Sequence, residues 1–243
     1  MDLVIDIGNS RAKLFLFNNS KIIDRINTDL NLIEDILKLI SDKNQIKNII
    51  CSTVSIKIDD LVKQFFSDSN FISLSNDKIT LPFVNNYKNK KTLGQDRVAL
   101  ISSSIFLYPK RNSLIIDLGT CITYDIIDDK NNYFGGAISP GFPIRYKSLN
   151  DYTENLPLLE IKQFLKVIGN DTNESIHSGI TNGIIGEINQ FINELNKDFE
   201  NLNVIITGGY SKYLVNRIKN VIFADQDFLA FGLNHILKLN EEN

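Results

Sequence analysis

"LVIDIGNSRAKLFLF", residues 3–17, runs from an apolar strand through Asp6 and the turn Gly8-Asn9-Ser10 to Lys13 and a second apolar run. The same design returns 111 residues later as "LIIDLGTCITYDIID", residues 114–128. There Asp117 stands for Asp6, Gly119 for Gly8 and Thr120 for Asn9. A strand made only for a core would not end on a carboxylate, so the repeated Asp asks for a chemical reason. A repeat at half the chain length predicts two related domains and not a solenoid. Each half would open with a strand–turn–strand hairpin, the glycine supplying the turn. Pro and charge interrupt the pattern at "PKRN", residues 109–112, which divides the chain into 1–110 and 111–243.

Outward from the hairpins, helical and strand patterns interleave. The first half predicts helices near 29–42, 57–66 and 94–107 and a strand at 46–52. The second predicts helices at 143–150, 157–164, 173–197, 211–219 and 227–239, strands at 203–207 and 221–224, and a turn-rich segment at 133–142. Strands alternating with helices give an α/β fold, each half a mixed sheet flanked by helices.

Composition narrows the class. The chain has 243 residues, 43% of them hydrophobic, and a net charge of −3. Its cations are scattered, so no nucleic-acid surface is expected. No apolar run reaches the roughly 20 residues of a membrane helix, and the start does not read as a signal peptide. Cys51 and Cys121 are the only cysteines, too few for a disulfide framework or a zinc site. A cytoplasmic protein is the expectation.

A Gly-rich hairpin turn offers backbone N–H groups and short polar side chains, a concavity suited to phosphate. An Asp cannot bind phosphate directly, but it can hold a cation that does. Asp6 with Gly8, Asn9 and Ser10 therefore reads as a phosphate cradle with a metal-orienting carboxylate. Lys13 could reach a phosphate or could equally be a solvated strand residue. Asp117 with Gly119 and Thr120 reads as a second cradle, and Thr207-Gly208-Gly209 as a third loop between strand and helix. One such turn alone is only a hairpin. Two at duplicated positions, followed by a strand–TGG–helix, resemble the acetate/sugar kinase–Hsp70–actin superfamily. Its two RNase H-like (actin-like ATPase) domains clamp ATP between paired phosphate loops.

The resemblance narrows to the type III pantothenate kinases. "TLGQDRVAL" (92–100) is similar to their Gly-x-Asp-Arg segment, and "DLGTCITYD" (117–125) to their Asp-x-Gly-Thr-x-x-Thr-x-Asp segment. "GGAISPG" (135–141) and "NDTNESIHSG" (170–179) are similar to two further motifs of that family. With "DIGNS" and "TGG", the match runs the length of the chain in order. Ser10 stands where Thr is more usual, and His177 where many members have Gln. The resemblance implies ATP-dependent phosphorylation of pantothenate to 4′-phosphopantothenate, the first step of coenzyme A biosynthesis. It also implies Mg²⁺ and a monovalent cation, K⁺ or NH₄⁺, as cofactors.

Carried over residue by residue, it implies that Asp96 is the catalytic base. ATP contacts would come from Asp6, Ile7, Gly8, Asn9, Ser10, Arg11, Ala12, Lys13, Thr120, Gly208 and Gly209. Pantothenate would meet Tyr87, Gly94, Gln95, Asp96, Arg97 and Thr172. Asp117 would hold the monovalent cation, with Asp125 supporting its loop. From the residues alone, Asp96 could as well cap a helix, Arg97 form a surface salt bridge and Thr172 be an N-cap. His177 and His235 have no partner spacing for a metal, and Cys51 reads as core.

The family resemblance also implies a homodimer. The helix near 173–197 carries Ile176, Ile180, Ile184, Ile185 and Ile188 on one stripe. That stripe could pack on its own sheet; the resemblance favours the same helix of a twofold partner, with Thr172 completing a pocket around Tyr87 and Arg97 of the other chain. Two other readings remain: a non-catalytic accessory or regulatory protein of the same fold, and a kinase for another small hydroxylated substrate.

Overall fold

The computed structural model describes residues 1–8, 11–53, 58–76 and 78–241. In chain order its strands and α-helices are β1 (Asp2–Ile7), β2 (Arg11–Asn18), β3 (Lys21–Asp29), α1 (Ile33–Lys43), β4 (Asn48–Thr53), α2 (Asp59–Phe65), β5 (Asn70–Ser73), β6 (Val84–Asn85), α3 (Gln95–Leu107), β7 (Ser113–Leu118), β8 (Cys121–Ile127), β9 (Asn132–Pro140), α4 (Phe142–Asp151), α5 (Thr172–Leu195), β10 (Asn203–Thr207), β11 (Ile222–Phe223) and α6 (Phe228–Leu239). They fall into two compact units. One comprises Met1–Val84, Lys88–Tyr108 and the segment from Asp227 on; the other comprises Asn85–Tyr87 and Pro109–Gln226. The division at 110/111 describes the order of the halves along the chain; in space α6 packs within the first unit.

The first unit is built on a five-stranded sheet of order β3-β2-β1-β4-β5. β1 runs antiparallel to β2 and parallel to β4, so Asp6 faces Lys13 on one side and Ser52 on the other. Apolar residues cover both faces of β1, with Leu3, Val4, Ile5 and Ile7 essentially inaccessible. α1 buries Ile33, Leu37 and Ile40, the one-face spacing of an amphipathic helix. α3 is different, because it buries three consecutive serines, Ser102, Ser103 and Ser104. Each hydroxyl donates to a carbonyl of its own helix, of Val98, Ala99 and Ile101 respectively, so none is left unpaired. Their small size lets α6 come close, and a side chain at Gly232 would run into the Ala99 carbonyl.

The second unit has the sheet order β11-β10-β7-β8-β9-β6. β7, β8 and β9 are antiparallel in sequence order, and β10 and β11 extend the sheet in parallel from β7. This repeats the first unit's pattern of three antiparallel strands followed by two parallel ones, with β6 added at the edge. Two RNase H-like domains, each a mixed sheet flanked by helices, are thus the architecture.

Several readings from the sequence need correction. The stripe on α5 is used at home: Ile176, Ile180, Ile184 and Ile188 are buried against Leu114, Ile116, Ile122 and Ile206 of their own unit. Each such burial is worth about 1.5–3 kcal/mol, so the stripe is not a dimer face. No helix forms at 157–164. Of residues 157–164 only Phe164 is buried, so no packed apolar face supports a helix there; the stretch is tied by Arg217, whose Nη1 donates to the Phe164 carbonyl at 2.8 Å. The helix read at 211–219 is one 3₁₀ turn, Ser211–Tyr213, because Asn216 and Asn220 adopt left-handed φ of 67° and 58°. The turn-rich reading of 133–142 gives way to β9, its glycines lying within a strand. Edge strands β3 and β5 escaped notice, since their residues are largely exposed or half-buried and show no apolar run.

Candidate active site

In the first unit, polar residues gather where β1 and β4 end. Gly8 closes the turn after β1 by donating its N–H to the Arg11 carbonyl at 3.0 Å. Ile7 and Ala12 pair across this hairpin and are buried, so their side chains serve the core. Asn9 and Ser10 lie outside the described residues. Arg11 is exposed and pairs with Asp29 at 3.5 Å. Lys13 is half-buried and directly opposite Asp6.

The head of α3 belongs to the same unit. Gln95 accepts a hydrogen bond from the Thr53 N–H at 2.9 Å, which ties the helix start to the end of β4 beside Ile7. Asp96, in the first helical turn, accepts from the Arg97 N–H at 2.8 Å. Gly94 is the N-cap residue and contributes no side-chain bond, so Asp96 is not the cap. Arg97 is 5% exposed and therefore no surface salt bridge.

Asp6 and Asp96 feel one another. Burial pushes the Asp6 carboxyl up to about 6; the Lys13 ammonium opposes this and the Asp96 carboxylate adds to it. A carboxylate that burial and a neighbouring negative charge both destabilise in its ionised form is relieved by a cation beside it. Cys51 on β4, paired with Ile5 of β1, has its thiol pushed up to about 12 by burial, with Asp59 and Asp6 adding to the effect, and is inert at neutral pH.

The second unit brings three glycine segments together around Asp117. Asp117 lies opposite Thr123 on β8 and Thr207 on β10. After it, Gly119 donates to the Cys121 carbonyl at 3.0 Å, closing the turn that leaves Thr120 exposed. Gly208 follows β10 with φ +94°, and a Cβ there would strike the Asp117 carboxylate and the Leu118 backbone. Only glycine fits, and the TGG loop thereby presses its backbone against Asp117. Tyr210 then donates its N–H to the Leu118 carbonyl at 3.0 Å. From the other side Gly141 donates to the Thr120 carbonyl at 3.0 Å, with no room for a side chain against Gly119 and Thr120. The motifs DLGT, SPG and TGG, separate in sequence, thus form one structure.

Thr123 adds an informative detail. Its hydroxyl is buried and, opposite Asp117, has no hydrogen-bond partner among the described residues. A carboxylate beside an orphaned hydroxyl oxygen is a donor set that suits a weakly hydrated cation. Among the described residues no cluster of three or more His, Cys, Asp or Glu forms a metal site.

Tyr87 lies in this unit, its ring stacked on Tyr133 with centroids 6.1 Å apart. Gly135 makes room for it, any Cβ there lying 3.6 Å from the Tyr87 ring. The Tyr133 hydroxyl donates to Asp125 at 2.7 Å, and Asp125 is fully buried. Thr172 is exposed at the first position of α5. Asp171, not Thr172, is the N-cap, accepting from the Glu174 N–H at 2.7 Å. Both line an open hollow of about 570 Å³ with Leu149, Leu156, Gly169 and Ser175 among its walls. His177 is a core residue: its Nδ1 and the Tyr146 hydroxyl share a hydrogen bond of 2.6 Å, and its ring stacks on Phe164. Sequence reasoning passed over Tyr133, Arg145 and Glu187. Tyr133 had a signal in the glycine pair beside it; the other two had none.

Comparison with known proteins gives a consistent result. The profile of the family described as "Type III pantothenate kinase" matches residues 2–194. A type III pantothenate kinase of Flavobacterium psychrophilum is 40% identical over 97% of this chain and 98% of its own length. Another, from Christiangramia forsetii, is 41% identical over 99% of each. A crystal structure from Campylobacter jejuni, named as a Baf family transcriptional activator, covers 99% of this chain and 100% of its own with a TM-score of 0.64. At 21% identity it bears on the fold alone. Among the described residues, no helix is long and apolar enough to cross a membrane.

Proposed function

The chain belongs to the type III pantothenate kinase family, and from that premise we propose how its residues divide the work of phosphoryl transfer. The reaction moves the γ-phosphoryl group of ATP to the primary hydroxyl of pantothenate, giving 4′-phosphopantothenate and ADP. The hydroxyl oxygen bonds to phosphorus, the bond to the β–γ bridging oxygen breaks, and the hydroxyl proton must go to a base. Such chemistry asks for positioning and charge neutralisation more than covalent help.

Asp96 takes that proton. The observation that carries this assignment is its place beside Asp6 at the head of α3, with Gln95 anchoring the helix start to β4. A carboxylate within reach of the alcohol accepts its proton as transfer proceeds. Arg97, Gly94, Gln95, Tyr87 and Thr172 bind pantothenate; the planar guanidinium of Arg97 suits the substrate's carboxylate. The turn after Asp6, with Lys13, and the Thr120 and Gly208-Gly209 loops bind ATP. Asp6 would hold the divalent ion that accompanies ATP, whose charge relieves the repulsion between Asp6 and Asp96. Asp117 and the orphaned Thr123 hydroxyl would hold K⁺ or NH₄⁺, which offsets phosphate charge.

We further propose a homodimer working in the cytoplasm, with Thr172 of one chain serving the pantothenate pocket of the other. In the segment that precedes α5, Leu158, Leu165, Val167 and Ile168 are between 60% and 81% exposed, apolar surface that a second chain would cover. The function is tested by following ADP release with pantothenate, glucose and acetate as acceptors. Turnover with pantothenate alone is expected. A preference for glucose or acetate would favour another kinase of the superfamily, and no turnover at all an accessory role.

A further inference from the structure

Glu187 on α5 gathers three donors from three elements. The Tyr124 hydroxyl of β8 donates to its Oε1 at 2.7 Å, and the Ser139 hydroxyl of β9 to its Oε2 at 3.0 Å. Arg145 of α4 donates through Nη2 to the same Oε2. Burial works against the charge on Glu187, but these bonds and the guanidinium prevail and hold its carboxyl below the usual range. The Arg145 and Glu187 side chains are only 22% and 24% exposed. In an ion pair so largely buried, desolvation offsets much of the attraction, so the pair by itself is weak evidence of a stabilising role.

What sets this pair apart is the second arm of Arg145. Its Nε donates to the Pro140 carbonyl at 2.7 Å. Nη2 also reaches the Ser139 hydroxyl at 3.1 Å. The backbone N–H of Arg145 donates to the Gly141 carbonyl at 3.0 Å. Arg145 therefore grips the Pro140-Gly141 bend from side chain and main chain together. That bend in turn touches the Gly119-Thr120 turn, with the Gly141 N–H on the Thr120 carbonyl and no space for a Cβ between them. Pro140 also pairs with Cys121, the residue after Thr120. A continuous chain of short contacts thus leads from α5 through Glu187, Arg145 and Gly141 to Thr120.

We propose that Arg145, oriented by Glu187, is a positioning residue for ATP: it fixes the Pro140-Gly141 bend and thereby the turn on which Thr120 meets the nucleotide. The inference rests on the reading of Thr120 as an ATP contact. A planar guanidinium serves Glu187 and the Pro140 carbonyl at once, in fixed directions. A lysine ammonium is one point charge on a flexible stem, so it keeps the ion pair and gives up the second arm.

The test uses the full-length protein carrying Arg145→Lys, Glu187→Gln or Thr120→Val. It measures thermal midpoints, KM for each substrate, and binding of the non-hydrolysable analogue AMPPNP by calorimetry. Arg145→Lys should melt close to wild type while its affinity for AMPPNP falls about tenfold, the scale of one hydrogen bond to a charged group. Its KM for pantothenate should stay put. Glu187→Gln should move ATP affinity in the same direction by a smaller factor, and it carries the test if Arg145→Lys does not fold. Thr120→Val reports on the premise separately. If it weakens AMPPNP while Arg145→Lys does not, the positioning role falls and the Thr120 contact stands. If it binds AMPPNP as wild type does, the Thr120 contact falls and the positioning role with it. Equal losses for both substrates with a lower melting point would make Arg145 a plain structural residue and overturn the proposal.

Discussion

Asp6→Asn should make the nucleotide-free protein more stable while destroying its activity. The Asp6 carboxyl is raised to about 6, above its ordinary 3.8, chiefly by burial, with Lys13 opposing and Asp96 adding. Between those two values the folded chain binds more protons than the unfolded chain. Stability therefore falls as pH rises through that window, and the full cost stands above it. Each pH unit between the two values is worth about 1.4 kcal/mol, so the ceiling is about 3 kcal/mol at neutral pH. Asp6 is only half-buried and loses a favourable partner in Lys13 on substitution, so a gain of roughly 1–3 kcal/mol is expected. At roughly 2–4 °C per kcal/mol for a chain of this size, the variant should melt several degrees higher at pH 7.5. The gap should close near pH 4, where wild-type Asp6 is protonated in the folded state. Adding MgATP should raise the wild-type midpoint and leave the variant nearly unmoved. A variant that melts at or below wild type at pH 7.5, or a gap that does not change with pH, would refute the claim that Asp6 is a strained site carboxylate.

Two further outcomes follow from the site. If Asp117 and Thr123 hold a monovalent cation, turnover with Mg²⁺ present should collapse in Tris or sodium buffers and return with potassium or ammonium, and Asp117→Asn should flatten that response; equal rates in all these salts contradict the assignment. If Thr172 serves the partner's pocket, inactive Asp96→Asn chains mixed with inactive Thr172→Arg chains should recover some activity; no recovery in mixtures shown by sedimentation to have exchanged subunits rules the shared site out.

The hairpin repeat was legible because both halves place a carboxylate at a strand end before a glycine turn, and that signal is local. The matching sheet orders follow from it. What the sequence hid were relations between segments. DLGT, SPG and TGG read as three separate loops, yet Gly141 and Gly208 are glycines because each touches the turn or carboxylate of DLGT. Arg145 and Glu187 are ordinary surface letters until β9, α4 and α5 meet. Thr172 read as a cap because any Thr before a helix does; Asp171, one residue earlier, makes that bond. The α5 stripe has the period of a buried face, and period alone does not say whether the covering surface belongs to the same chain. Asn216 and Asn220 broke a periodic helix through left-handed backbone, which Asn tolerates better than other residues with a side chain.

The central claim is that Asp96 accepts the proton of the pantothenate hydroxyl. The measurement is turnover at saturating ATP and pantothenate for wild type and for Asp96→Asn, which keeps the shape and removes the proton acceptor. A loss of kcat on the order of 10²–10⁴-fold, with AMPPNP affinity little changed, is the predicted result. An Asp96→Asn enzyme that keeps more than about half of wild-type turnover, far outside that range, would take Asp96 out of the mechanism.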